Sequence, residues 1–120
     1  MGFPSPADDY AQARLEVTDY IVKHPAATFF LRAETSCMAR AGIRAGDVLV
    51  VDKSLVPQNG SIVVACVHGD FHVRQLRVSG GKHSLIATDS RSKPIEIDGE
   101  DCAVWGVVTF SIHSTHASQQ

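Results

Sequence analysis

Three groups of residues in this 120-residue chain have types and spacings that bear on chemistry: a cysteine at a helix start, histidines four apart, and paired aspartates. Cys37 opens a short segment, residues 36–41, that carries alanines and a methionine and is ended by Gly42. The pattern predicts one or two helical turns with Ser36 or Thr35 as the N-cap. A thiol at a helix N-terminus, with a guanidinium nearby, has a depressed pKa, and its thiolate is a nucleophile. Arg74 lies in a segment, residues 71–78, whose alternation puts His72, Arg74, Leu76 and Val78 on one strand face. A guanidinium stays protonated in a protein, so Arg74 can hold an anion but cannot act as a general base.

His68 and His72 are four apart, with His24 and His83 as further candidates. That spacing suits a metal on a helix, but here it falls on a turn and a strand, so no metal and no cofactor are expected. Asp47 and Asp52 flank an apolar run; acid/base work is one reading, and turn and strand-end hydrogen bonding is the preferred one. Cys66 sits in an apolar strand and is expected in the core, while Cys102 follows Glu100 and Asp101 in a loop. Trp105 is read as core or dimer packing. Gly80 and Gly81 form a hairpin turn rather than a phosphate loop, because no helix follows them.

The elements that must position these residues are mostly strands. Runs rich in aromatic and β-branched residues fall at 28–33, 48–51, 61–67, 71–78, 83–88, 95–97 and 104–112, with turn signals between them. Residues 61–67 are apolar on both faces and belong inside a sheet. The pattern over residues 10–23 fits a short strand followed by a helical turn without deciding between them, and His24-Pro25 breaks it. The expected organisation is an extended arm over residues 1–9, one domain over 10–112 and a polar, disordered tail over 113–120.

Composition narrows the function classes. The chain is long enough for one core, and 44% of its residues are hydrophobic. A net charge of −2 leaves no electrostatic footprint for nucleic acid, so little direct DNA binding is expected. No apolar run approaches the roughly 20 residues that span a bilayer, and no signal peptide is read. Three cysteines without a CxxC pair argue against a disulfide framework and fit a reducing cytosol.

Taken in order, the residues also form a frame. It runs from His24-Pro25 through Glu34, Thr35, Ser36, Cys37 and Met38, then Gly42-Ile43, Gly46-Asp47 and Val51-Asp52. It continues with Gly60, Ser61, Phe71, Arg74 and Leu76, and closes with Asp89-Ser90, Pro94-Ile95 and Trp105-Gly106. This frame resembles the UmuD and MucA family within the LexA-like Ser/Lys self-cleaving (S24-type) peptidases, over residues 2–112. The resemblance implies a mostly-β, β-clip fold of the LexA/UmuD C-terminal-domain kind with one short helix. It puts Cys37 at the position of the nucleophilic serine and Arg74 at that of the lysine base. It also marks Glu34-Thr35-Ser36 as a departure from a Ser-Gly-(Asp/Ser) pattern.

Such a Ser/Lys centre needs a lysine kept neutral by burial, so that it can take the serine proton. With arginine there, a degenerate centre without peptidase activity is the expectation. Gly2, followed by Phe3-Pro4-Ser5-Pro6, resembles the residues just after the family's self-cleavage bond, which implies a UmuD′-like processed form. By the same resemblance the chain is a homodimeric, cytoplasmic bacterial accessory subunit of an error-prone translesion DNA polymerase in the SOS DNA-damage response. Its implied partners are a Y-family, UmuC-like polymerase subunit and the RecA–ssDNA filament. The alternatives are an active self-cleaving peptidase that uses Cys37, and the C-terminal domain of a LexA-like repressor. The apolar last strand, taken as a sheet edge, gives a second reason to expect a homodimer.

Overall fold

The apolar, β-branched segments form strands, and tight turns fold them into one antiparallel sheet. The computed structural model describes residues 16–34, 36–97 and 102–116. The strands are β1 (Thr28–Arg32), β2 (Val48–Asp52), β3 (Ile62–Val67), β4 (Asp70–Ser79), β5 (Lys82–Ile86), β6 (Ile95–Glu96) and β7 (Cys102–Ile112). Their order in the sheet is β1-β2-β7-β3-β4-β5-β6. Residues 16–21 are helical, and residues 10–15 of the open pattern before His24 lie outside the described residues. The mostly-β expectation with one short helix holds.

Two apolar clusters lie on either side of β3, because neighbouring strand residues point to opposite faces. Val64 joins Ala33, Cys37, Met38, Ile43, Leu49 and Val51 in one, and Val63 joins Ala65, Val67, Leu76 and Leu85 in the other. A strand that feeds both clusters must be apolar on both faces, as the sequence of β3 is. The β3–β4 hairpin turns at His68 and Gly69, both at positive φ (50° and 86°), as a type I′ turn requires.

The last strand corrects the edge argument. β7 lies inside the sheet, paired with β2 along residues 107–112 and with β3 along 102–107. Only the stretch 108–112, beyond the start of β3, has no strand along its second side among the described residues. β7 also carries two bulges. The register with β3 steps over Trp105, and the register with β2 steps over Thr109. At the first bulge β7 comes so close to β2 that a Cβ on Gly106 would sit 2.6 Å from Val51 Cγ1.

The predicted helix at Cys37 is shorter than expected and begins later. Residues 36–38 form a turn, and the only helical residues there are the 3-10 turn Ala39–Ala41. Met38 is its N-cap and makes no side-chain capping bond, so Ser36 does not cap it; Thr35 lies outside the described residues. Gly42 ends the turn in the left-handed region at φ 86°, as its position suggested.

Candidate functional site

Cys37 is held in place through its backbone. Its side chain is 7% exposed and packs in the first cluster with Met38 and Ile43. Its carbonyl accepts three hydrogen bonds from the loop after β5: the Thr88 N–H at 3.0 Å, the Thr88 hydroxyl at 2.9 Å and the Asp89 N–H at 3.2 Å. The Thr88 hydroxyl in turn accepts the Arg40 N–H at 3.2 Å, so one side chain ties the Cys37 turn to the 3-10 turn that follows it. A three-residue 3-10 turn beginning after Met38 does not present Cys37 to a helix N-terminus. The helix-dipole argument for a thiolate therefore fails.

Arg74 stands on β4 opposite Val63 of β3, and it is half-buried. Its Nη1 donates to the carbonyl of Val73 at 2.9 Å, while its Nε is buried without a hydrogen-bond partner. Arg74 lines a cleft of about 470 Å³, together with Leu31, Ala33 and Glu34 from β1 and the residues after it, and Phe71, His72 and Val73 from β4. Cys37 is not part of that lining. Asp89 stands beside the Cys37 turn, its N–H donating to the Cys37 carbonyl at 3.2 Å. The Asp89 pKa lies below the ordinary value, mainly because the carboxylate accepts the Ser92 N–H; the Ser92 hydroxyl, the Arg91 N–H and the Arg74 charge add to this.

The paired aspartates are structural, as preferred. Asp47 is 1% exposed and bonds the Arg44 N–H at 2.9 Å and the His113 ring at 2.8 Å. Burial works to raise its pKa, but those partners outweigh burial and leave it below the usual value. Asp52 is 4% exposed and accepts the Ser54 hydroxyl at 2.6 Å and the Ser54 N–H at 2.8 Å, with the His24 ring at 2.6 Å. Its pKa is also lowered, by the Ser54 hydroxyl first and His24 second, against the effect of burial. His113, which the sequence assigns to a polar tail, is thus tied to the body of the domain.

The remaining candidates scatter. His68 is in the hairpin turn and His72 on β4, and no group of three or more possible metal ligands occurs among the described residues. Cys66 is half-buried rather than a core residue, and Cys102 opens β7 rather than lying in a loop. Trp105 is not in the core: it is 39% exposed, stacked with Phe29 and Phe71 at centroid distances of 4.3 and 5.1 Å, with Lys53 Nζ over its ring. Gly2 lies outside the described residues. No helix among the described residues is long and apolar enough to cross a membrane. Sequence reasoning placed Asp89 in the frame without giving it a role; the Asp89…Ser92 spacing, which suits a side-chain-to-backbone turn, was the available signal.

Comparison with known proteins points one way. The model of the Peptidase S24-like family matches residues 1–109. The chain is 44% identical to Protein MucA of Salmonella typhimurium over 114 residues, covering 92% of this chain and 77% of that protein. It is 42% identical to Protein ImpA of Escherichia coli, covering 95% of this chain and 78% of that protein. The LexA repressor of Photorhabdus laumondii is 34% identical over 97 residues, 81% of this chain but 48% of the repressor.

Proposed function

The chain belongs to the Peptidase S24-like family, on its UmuD and MucA branch, and from that premise we propose that it is an accessory subunit in SOS mutagenesis that does not cut peptides. The observation that carries the role is the likeness to Protein MucA across 92% of the chain. Identity of 44% over 92% of the chain, against 34% over 81%, favours this reading over a LexA-like repressor. In this reading the protein serves an error-prone, Y-family, UmuC-like polymerase, meets the RecA–ssDNA filament and acts in the bacterial cytoplasm.

The loss of peptidase activity rests on two side chains. Cys37 stands at the nucleophile position and Arg74 at the base position. A serine hydroxyl needs a base to take its proton; a thiolate does not, but its leaving amine still needs a proton donor. Arg74 can be neither base nor effective donor, since its guanidinium keeps its protons. Its half-burial, which would push a lysine toward the neutral form, only leaves the arginine Nε without a partner.

A homodimer is part of the proposal. The side of residues 108–112 that no described strand covers offers N–H and C=O groups to a second copy, and unpaired strand edges are normally covered. Sedimentation equilibrium at micromolar concentrations should give a dimer. The polymerase role is tested by co-purifying the chain with the Y-family polymerase of its own genome: a stable complex supports the role, and separate elution of the two proteins refutes it.

A further inference from the structure

We propose that the cleft beside Arg74 receives an extended acidic segment of a partner protein, which adds as a strand to the free edge of β4 and sets a carboxylate on the Arg74 guanidinium. This rests on the reading of the centre as lapsed, so the segment is held and not cut.

The free edge follows from the register of β4. Leu76 donates its N–H to the Ser61 carbonyl at 2.8 Å and accepts the Gly60 N–H at 2.8 Å, so its backbone groups face the β3 side. Successive residues of an antiparallel strand direct these groups to opposite sides. The pairing of β3 with β4 runs from Ile62 to Val67 without a shift, which keeps the alternation. His72 and Arg74 therefore also face β3, while Phe71 and Val73 face away from it. On that outer side β5 pairs with residues 75–79 and goes no further. β5 ends at Ile86, and the chain then turns off to the Cys37 carbonyl, where Thr88 and Asp89 bond. Among the described residues no strand covers the outer groups of Phe71 and Val73. The Val73 carbonyl accepts Arg74 Nη1 at 2.9 Å, which draws the guanidinium onto this edge.

The cleft along the edge supplies recognition. Leu31, Ala33, Val64 and Val73 give it an apolar wall, and its volume of about 470 Å³ suits a few residues of extended chain. The Arg74 guanidinium has five N–H donors in a planar fork. One reaches the Val73 carbonyl, and the Nε is buried without a partner. Such a fork matches a carboxylate, whereas a neutral side chain would leave the charge uncompensated. At the other end of the edge, Phe71 and Trp105 are 58% and 39% exposed and stack at 5.1 Å, with Lys53 Nζ over the Trp105 ring. An apolar side chain can rest on these rings, and the second cation also favours an acidic segment. Of the other charged groups in the lining, Arg32 is held by the Gly46 carbonyl at 2.8 Å, and Glu34 opposes an anion.

The test uses the full chain and a fluorescent, end-capped peptide of alternating valine and threonine with one central glutamate, compared with its glutamine counterpart. The native protein should bind the glutamate peptide about tenfold more tightly, as one charge-assisted hydrogen bond implies. Arg74→Gln should abolish that preference, and Glu34→Gln should strengthen binding of the glutamate peptide. In nuclear magnetic resonance the peptide should slow hydrogen exchange at the Phe71 and Val73 N–H groups. Phe71→Pro, which deletes an outward-facing N–H, should lose binding, while Phe71→Val should keep it. If Phe71→Pro does not fold, the exchange measurement on the native chain decides alone. Absence of binding, or a glutamate preference that survives Arg74→Gln, overturns the proposal. Equal competition by inorganic phosphate, with exchange at Phe71 and Val73 unchanged, would show an anion site without strand addition and overturns it too. Cleavage of the bound peptide would instead refute the lapsed-centre reading and leave the binding results standing.

Discussion

Thr88 donates both its N–H and its hydroxyl to the carbonyl of Cys37, at 3.0 and 2.9 Å. The bonds join residues 51 positions apart and fix the Cys37 turn against the loop after β5. Thr88→Val keeps the shape and the backbone bond but removes the hydroxyl from Cys37 and from Arg40. The expected loss is about 1 kcal/mol, the net value of an ordinary hydrogen bond, because the Cys37 carbonyl keeps two donors. Urea unfolding should show a lower midpoint at unchanged slope, and Thr88→Ser should retain most of the stability.

Asp47 and Asp52 tie the two ends of β2 to His113 and His24. Both carboxyl groups have folded-state pKa values below the ordinary 3.8. The unfolded chain therefore binds protons first as pH falls. The stabilisation is complete above that value and is lost as pH drops through the lower folded values. Stability of the native chain should decline steeply below about pH 4, where unfolded aspartates titrate, and the decline should be shallower in Asp52→Asn. At neutral pH the same variant should lose about 1–3 kcal/mol, because it disturbs a buried acceptor with three partners. Unfolding free energies measured across pH check both statements.

Gly106 lies where β7 comes closest to β2, and a methyl group there would press on Val51 Cγ1. Gly106→Ala should cost about 1–3 kcal/mol through overpacking. Val51→Ala alone should also destabilise, by opening a cavity in the first cluster. The double variant should be less destabilised than the sum, because the methyl introduced at 106 then meets a smaller neighbour. A strictly additive double-mutant cycle would show that the close approach is not the reason for glycine at this position.

Much of the fold could be read from the sequence because the strands repeat one physical pattern. Apolar β-branched runs between glycine-bearing turns gave all seven strands, and the two-faced apolar character of β3 gave its place inside the sheet. The place of β7 could not be read, since apolar composition marks a buried strand but does not say which neighbours bury it. The expected helix at Cys37 shrank to one 3-10 turn because alanine-rich propensity over six residues is too weak to build a helix without packing to hold it. At the candidate site, types and order singled out Cys37 and Arg74, but the tie of Asp89 to Cys37 escaped because it is a backbone bond between residues far apart in the sequence. The partners of Asp47 and Asp52 escaped for the same reason: nothing local pairs Asp47 with His113 or Asp52 with His24.

The central claim is that a cation that keeps its proton stands where a base is needed, and one measurement tests it most directly. The unmodified protein is incubated with a cleavable arm from a relative, tethered or added, across neutral and alkaline pH and with a RecA filament present. No cleavage is expected, since the Arg74 guanidinium cannot take a proton at any of these pH values. Cys37→Ser with Arg74→Lys together should restore some cleavage, and either change alone should do less, because nucleophile and base act as a unit. Product released by the unmodified protein, and lost on Cys37→Ala, would contradict the account and make the chain a cysteine peptidase.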